Sequence, residues 1–207
     1  MKIVRLALGT MGTNCYLLAD SGEVAVIDPG FEPGVILAEL KKLGGRVKYI
    51  INTHGHIDHM GANAAIKQAT SAEIVIGRKD AEHLTNAQSN LSAFMGGSIT
   101  SPPANLLVQE GDAIKVGKVV MKVMDAPGHT EGGICLIGDG FVFTGDTMFF
   151  ASIGRTDFPG GSEKQIIASL RRLVEVLPDN TMVYPGHEEP GLMRAVKRAN
   201  PFLFYGE

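Results

Sequence analysis

The sequence predicts a single α/β domain over residues 1–207, with two packed sheets and helices on the outside. Three observations lead there. Short apolar strands alternate with helical stretches along the whole chain, and no linker or low-complexity segment divides it. A chain of 207 residues suits one domain that buries about 70% of its unfolded surface. A faint internal echo points to two similar halves: Gly22-Glu23-Val24 leads to Asp28 and Gly140-Phe141-Val142 leads to Asp146, while Gly55-His56 and Gly128-His129 each follow a strand end.

In chain order, strands are expected at about 2–8, 14–19 and 23–28, then a helix at 33–43 with Pro33 at its start and Gly44-Gly45 to stop it. Residues 47–52 read as a short buried strand and 61–68 as a helix. The strand Glu73-Ile74-Val75-Ile76 and a short helix over 80–86 follow, and residues 106–144 are strand-rich. The helix at 163–177 has Ser162 and Gln165 as a capping box. It carries Ile166, Ile167, Leu170, Leu173, Val174 and Leu177 on one face and ends at Pro178. After a strand at 181–183, a last helix covers roughly 190–199.

Five of the six histidines fall in the block His54-Gly55-His56-Ile57-Asp58-His59 and at His129 and His187. Imidazole nitrogens and carboxylate oxygens form a mixed donor set suited to zinc, iron or manganese. Residues 54, 56, 58 and 59 do not share one helix face, since each step turns about 100°. The spacing therefore predicts an extended or looped backbone, with 54, 56 and 58 to one side and His59 turning in where a helix begins. His83 has no ligand-like companions in sequence and reads as an ordinary histidine.

His129 and His187 share one design, a strand followed by Pro-Gly and then His. Asp146 follows the apolar strand Phe141–Gly145, where a carboxylate alone is as readily a helix cap. Beside five such histidines it becomes a ligand able to bridge two ions. His54, His56, Asp58, His59, His129, Asp146 and His187 exceed the needs of one ion. The expected division gives His54, His56, His129 and Asp146 to one metal, and Asp58, His59, His187 and Asp146 to the other. Two such ions lie ~3.5–4 Å apart with an acidified water between them. The bridging hydroxide is a nucleophile for a carbonyl carbon, so metal-assisted hydrolysis is expected, with Asp58 and Asp146 as the candidate catalytic carboxylates.

The block Thr53–His59, followed by His129, Asp146 and His187, resembles the metallo-β-lactamase-fold hydrolase superfamily over nearly the whole chain. Thr13-Asn14-Cys15-Tyr16, Ile27-Asp28-Pro29-Gly30 and Gly154-Arg155-Thr156-Asp157-Phe158 resemble its glyoxalase II-like (hydroxyacylglutathione hydrolase) branch. The resemblance implies an αββα sandwich of two mixed β-sheets with outer helices. It also implies two divalent metals, zinc foremost, and a small-molecule thioester substrate of the S-lactoylglutathione kind. The helical extension with which full-length glyoxalase II enzymes help hold glutathione has no counterpart after His187. Gly154–Phe158 is also similar to the persulfide dioxygenases, which use a single iron at positions matching His54, His129 and Asp146. That resemblance implies oxidation of glutathione persulfide as the alternative.

Net charge is −3, so there is no basic field to attract nucleic acid or anionic lipid. The first residues read as a strand rather than a signal peptide, and no apolar run is long enough for a membrane helix. The two cysteines, Cys15 and Cys135, read as buried free thiols, and a cytoplasmic protein is expected. Arg155 is a candidate substrate-binding residue, a guanidinium fork for a glutathione carboxylate, with pairing to Asp157 the equal alternative. Asp28 either orients a ligand histidine or caps a strand. Phe149 and Phe150 line the pocket or pack the core. Residues 89–105 form a flap over the site or an inert surface loop.

Overall fold

The structure, a computed structural model, describes residues 1–204. Its first sheet contains β1 (Lys2–Leu8), β2 (Thr13–Asp20), β3 (Glu23–Ile27), β4 (Arg46–Asn52), β5 (Glu73–Gly77) and β6 (Leu106–Val108), in that spatial order. The first two pairings are antiparallel and the rest parallel. The second sheet contains β7 (Ala113–Val116), β8 (Val119–Asp125), β9 (Ile134–Gly138), β10 (Phe141–Gly145), β11 (Met182–Pro185) and β12 (Gly191–Leu192). It is antiparallel except where β10 meets β11. Both sheets are therefore mixed, as expected.

The internal echo has a structural cause. Each sheet contains an antiparallel hairpin whose second strand crosses over through a helix to a parallel neighbour. In the first half this is β2-β3 with α1 (Pro33–Leu43) leading to β4; in the second it is β9-β10 with α4 (Glu163–Val176) leading to β11. A crossover of this kind needs a helix to carry the chain back along the sheet. Asp28 and Asp146 thus occupy equivalent places, just past the ends of β3 and β10.

Strand alternation makes the layers. On β2, Tyr16 and Leu18 face the space between the sheets, while Cys15 and Leu17 face outward. The central layer joins Tyr16, Leu18, Ile27, Ile51 and Val75 to Val116, Met121, Leu136, Phe141 and Phe143. Tyr16 lies 5.2 Å from Phe143, ring centre to ring centre, and Phe143 lies 5.4 Å from Tyr184. The outer face of the first sheet packs on α1 and α3 (Asn63–Thr70) through Ile36, Leu40 and Ile66. The outer face of the second packs on α4 and α5 (Met193–Ala199) through Leu170, Leu173 and Val196. This is the helix-sheet-sheet-helix order, with each fully buried aliphatic side chain worth about 1.5–3 kcal/mol.

Most elements lie within a residue or two of their expected places, and α1 coincides with its predicted span because Pro33 and Gly44 mark both ends. Gly44 has φ 67°, the left-handed region that favours glycine at a helix stop. Ser162 Oγ accepts from the Gln165 N–H, one half of the anticipated box. The Ser162 N–H is taken instead by Gly128 O at 2.7 Å, tying α4 to the turn before His129. Three elements differ. A separate short helix, α2 (Ile57–Met60), precedes the one expected at 61–68, which is α3; residues 78–84 form a 3₁₀ helix; and the last helix begins only after β12.

Candidate metal centre

The predicted residues project from the C-terminal ends of β4, β8, β10 and β11, where the two sheets approach one another. Ile134 N–H donates to Thr53 O at 2.8 Å and Asn14 N–H to Gly186 O at 2.7 Å, sewing the sheets together beside the site. His54 and His56 leave β4 in the extended stretch expected. Asp58 does not, since residues 57–60 wind into α2 with His56 as the residue before it, and His59 lies on that helix, as expected of a residue where a helix begins. The Asn52 side chain donates to His59 O at 2.8 Å, and Ile57 N–H donates to Asn90 O at 2.9 Å. These bonds hold a helix too short to stand alone.

The structure brings all seven residues together. His54, His56 and His129 form one group whose candidate ligand atoms lie within 4.8 Å of one another, and Asp58, His59 and His187 form another; His54, His59 and Asp146 make a third. Asp146 lies between the first two. Its Oδ1 is 3.3 Å from His59 Nε2, and its Oδ2 is 3.5 Å from His129 Nε2 and 3.6 Å from His187 Nε2. Asp58 Oδ2 lies 3.2 Å from His187 Nε2 and 3.4 Å from His59 Nε2. His56 Nδ1 and His129 Nε2 are 2.9 Å apart.

Hydrogen bonds decide which nitrogen points inward. The carbonyl of Arg155 can only accept, so at 2.7 Å it takes a proton from His129 Nδ1 and leaves Nε2 bare toward the site. Several inward atoms are buried without a hydrogen-bond partner: His54 Nε2, His59 Nε2 and Asp146 Oδ1. Buried polar atoms are rarely left so. A group of bare imidazole nitrogens and carboxylate oxygens turned on one another is the environment a divalent cation satisfies, and the donor set fits one.

The electrostatics set the histidines of the two groups apart. Burial, followed by neighbouring histidines, pushes the His54 pKa well below the usual imidazole range, and burial with His129 brings His56 down to about 3. Both stay neutral, as a metal ligand must. Burial works to raise the carboxyls of Asp58 and Asp146, but His59 and the other imidazoles outweigh it and hold both below the carboxylate range. Burial works against protonation of His59 and His187, and the facing aspartates overcome it.

Residues that sequence reasoning left out or only half identified hold this arrangement. Asp28, at φ 51°, accepts from the Thr53 N–H and hydroxyl, both at 2.7 Å, and lies 3.1 Å from His59 Nδ1. Thr13 donates its hydroxyl to Asp58 Oδ2 at 3.1 Å. The fully buried Asp80 accepts from Gly55 N–H, Thr130 Oγ1 and Gly132 N–H, joining the two histidine loops. A Cβ at Gly186 would overlap the Asp146 carboxylate, so only glycine fits before His187. The available signal was polarity out of place: Thr13 and Asn14 open a strand whose next four residues are apolar and buried. His83 stands outside the three groups, its ring 6.2 Å from that of His56.

A cavity of about 440 Å³ opens onto the centre and is bounded by Asp58, His129, Asp146 and His187 together with Arg155 and a mainly apolar wall. Arg155 donates to Asp157 through Nε at 2.7 Å and Nη2 at 2.6 Å, and its guanidinium lies 3.9 Å over the Phe158 ring. Phe149 is part of the wall, with its ring 5.7 Å from that of His187, whereas Phe150 packs in the outer core. Residues 92–95 form a 3₁₀ turn on the cavity rim, and Asn90 and Ser92 bind Ile99 O at 2.9 and 3.1 Å. Among the described residues, no helix is long and apolar enough to cross a membrane.

Comparison with known proteins places these features in a family. The sequence profile of the metallo-beta-lactamase superfamily matches residues 8–187. The hydroxyacylglutathione hydrolase GloC of Haemophilus influenzae is 33% identical over 98% of each chain. Among solved structures, the BLEG-1 B3 metallo-beta-lactamase superposes with a TM-score of 0.92 at 29% identity, covering 98% of this chain and 99% of its own. ETHE1 from Myxococcus xanthus gives 0.81 at 31% identity, covering 97% and 84%. TTHA1623, solved in a di-iron-bound form, gives 0.86 at 32% identity, covering 97% and 100%.

Proposed function

The chain belongs to the metallo-beta-lactamase superfamily, and on that premise we propose that it is a metal-dependent hydrolase of glutathione thioesters, the class that includes hydroxyacyl-glutathione. The observation that carries this reading is the position of Asp146, within 3.3–3.6 Å of His59, His129 and His187, between two groups of histidines. His54, His56 and His129 with Asp146 would hold one divalent ion; Asp58, His59 and His187 with Asp146 would hold the other. Zinc suits this donor set best, and iron or manganese also suit it. When bound, such a pair supplies Lewis acidity toward a carbonyl and brings the pKa of a water toward neutrality.

The residues of the chain do the rest. Asp58 and Asp146 stay ionised, so each offers a carboxylate oxygen that orients the attacking water. Arg155 uses Nε and Nη2 for Asp157, which leaves Nη1 as the donor for an anionic group such as a glutathione carboxylate. Attack by water on the carbonyl carbon breaks the C–S bond and yields a carboxylic acid and a thiol. A thiolate with pKa near ~8.5 leaves readily, so no protein acid is needed. The relation to GloC supports the substrate class.

A second reading, oxidation of glutathione persulfide at a single iron, is supported by Gly154–Phe158 and by the likeness to ETHE1. Metal analysis with two assays separates them. Two metals per chain and loss of thioester absorbance from S-lactoylglutathione are expected, with the activity abolished by chelation. One iron with oxygen uptake on glutathione persulfide would replace this reading by the second, and cleavage of a β-lactam alone would move it to a third branch.

A further inference from the structure

The cavity over the metal centre has two chemically different ends. Beside His129 stands Arg155, whose carbonyl receives the His129 Nδ1–H and whose guanidinium lies over Phe158. The Phe158 ring is 5.9 Å from that of His56. This end carries the cation. The other end adjoins Asp58 and His187. Phe149 stands against His187 there. Asn90 O holds Ile57 N–H, bringing Leu91, Phe94 and Met95 to the residue before Asp58. Met11 precedes Thr13, which bonds Asp58. Apart from Asp58 and His187, no acidic or basic side chain among the described residues lines this end.

The apolar groups here are left facing water to an unusual degree: Phe94 is 76% exposed, Met95 58% and Met11 43%. Leu91 enters the turn at φ 71°, a left-handed conformation uncommon for leucine and a form of strain that gathers at ligand sites. Exposed apolar side chains joined to a cavity of small-molecule size mark a place where an apolar group is received.

We propose that this end receives the acyl group, and that the preferred substrates are thioesters of apolar acyl groups, medium-length alkyl or aryl, rather than of a 2-hydroxyacyl group. The polar thiol moiety then lies toward Arg155. The proposal rests on the thioester reading above and adds the identity of the acyl part. Chain length supplies the measure. Each methylene moved out of water is worth about 0.8 kcal/mol, which is roughly a fourfold gain in kcat/KM.

The test compares S-lactoyl-, S-acetyl-, S-butanoyl-, S-hexanoyl- and S-octanoylglutathione on the metal-loaded protein. In parallel, calorimetry follows binding of the free acids from acetate to octanoate, which needs no turnover. We expect kcat/KM to climb about fourfold per methylene across the shorter members, acid affinity to climb with it, and both slopes to flatten in Phe94→Ser/Met95→Ser. Both positions are exposed, so folding should survive. A flat series, or S-lactoylglutathione as the best substrate, overturns the proposal. If no thioester is cleaved, the hydrolase reading fails separately. Acid affinity rising with length then upholds the apolar end as a binding site, and flat affinity overturns it.

Discussion

Gly55 donates its backbone N–H to Asp80 Oδ2 at 3.0 Å, and the same oxygen accepts from Thr130 Oγ1 at 2.8 Å. One buried carboxylate therefore joins the turn between His54 and His56 to the residue after His129, while its second oxygen takes Gly132 N–H at 2.7 Å. Two loops bearing candidate ligands share one buried carboxylate.

Replacing Asp80 should loosen the site as well as the fold. Asp80→Ala leaves three donors without an acceptor in a buried place, at about 1–3 kcal/mol each. A loss of about 3 kcal/mol or more in urea unfolding is expected. Metal affinity should fall about 10–100-fold, the usual effect of removing a group that orients ligands. Asp80→Asn keeps one acceptor oxygen and should fall between the two. Unchanged metal titration in a folded Asp80→Ala protein would show that the histidine loops hold themselves.

Much of this architecture is legible in the sequence because strong local signals agree with it. Pro33 and Gly44 bracket α1, and the apolar face of α4 buries Ile166, Leu170 and Leu173 as its period requires. The seven candidate ligands are legible because histidine and aspartate at strand ends have few other uses in such a pattern. A helix beginning near His59 is legible, but the winding of Asp58 into it is not. Four ligands at 54, 56, 58 and 59 argue against one helix, and the chain resolves this by placing only the last two on helix. Asp80 was hidden for a different reason: its partners are two backbone groups 25 and 52 residues away and a hydroxyl 50 residues away, which leave no period or motif. The sequence leaves Arg155 evenly between a substrate carboxylate and Asp157, and the structure joins it to Asp157 through two hydrogen bonds.

Away from the site, two acidic side chains clamp the sandwich. Asp20 accepts from Lys118 N–H and Glu23 from Gly117 N–H, both at 2.7 Å, fastening the β2-β3 hairpin to the β7-β8 turn. The Lys118 bond, then the N-terminal amine and Ser21, lower the Asp20 pKa to about 2. Because the folded value lies below the unfolded one of about 3.9, its stabilisation is complete above that value and is lost as pH falls through about 2. Melting of wild type and Asp20→Asn should differ by a constant amount near neutrality, and the gap should close below about pH 4. A gap unchanged down to pH 2 would place the effect in shape rather than charge.

The two metal positions should also separate by mutation. Asn14 Nδ2 donates to Pro185 O at 2.9 Å and to Glu188 O at 2.8 Å, so one amide grips the carbonyls on either side of Gly186-His187. Arg5 Nε donates to Asn14 Oδ1 at 2.7 Å and sets the amide's orientation. Asn14 makes no such bond to the loops of His54, His56 or His129. In Asn14→Ala, the ion assigned to Asp58, His59 and His187 should therefore weaken about 10–100-fold, while the ion assigned to His54, His56 and His129 changes little. Calorimetric titration of the metal-free protein should turn from two tight sites to one tight and one weak. Tyr16→Phe should have a smaller effect of the same kind, because Pro185 O keeps the Asn14 bond when it loses the tyrosine hydroxyl at 2.7 Å. Equal weakening of both sites in Asn14→Ala would mean that the His187 loop is rigidly coupled to the opposite half of the centre, and that the division of ligands between two ions is wrong.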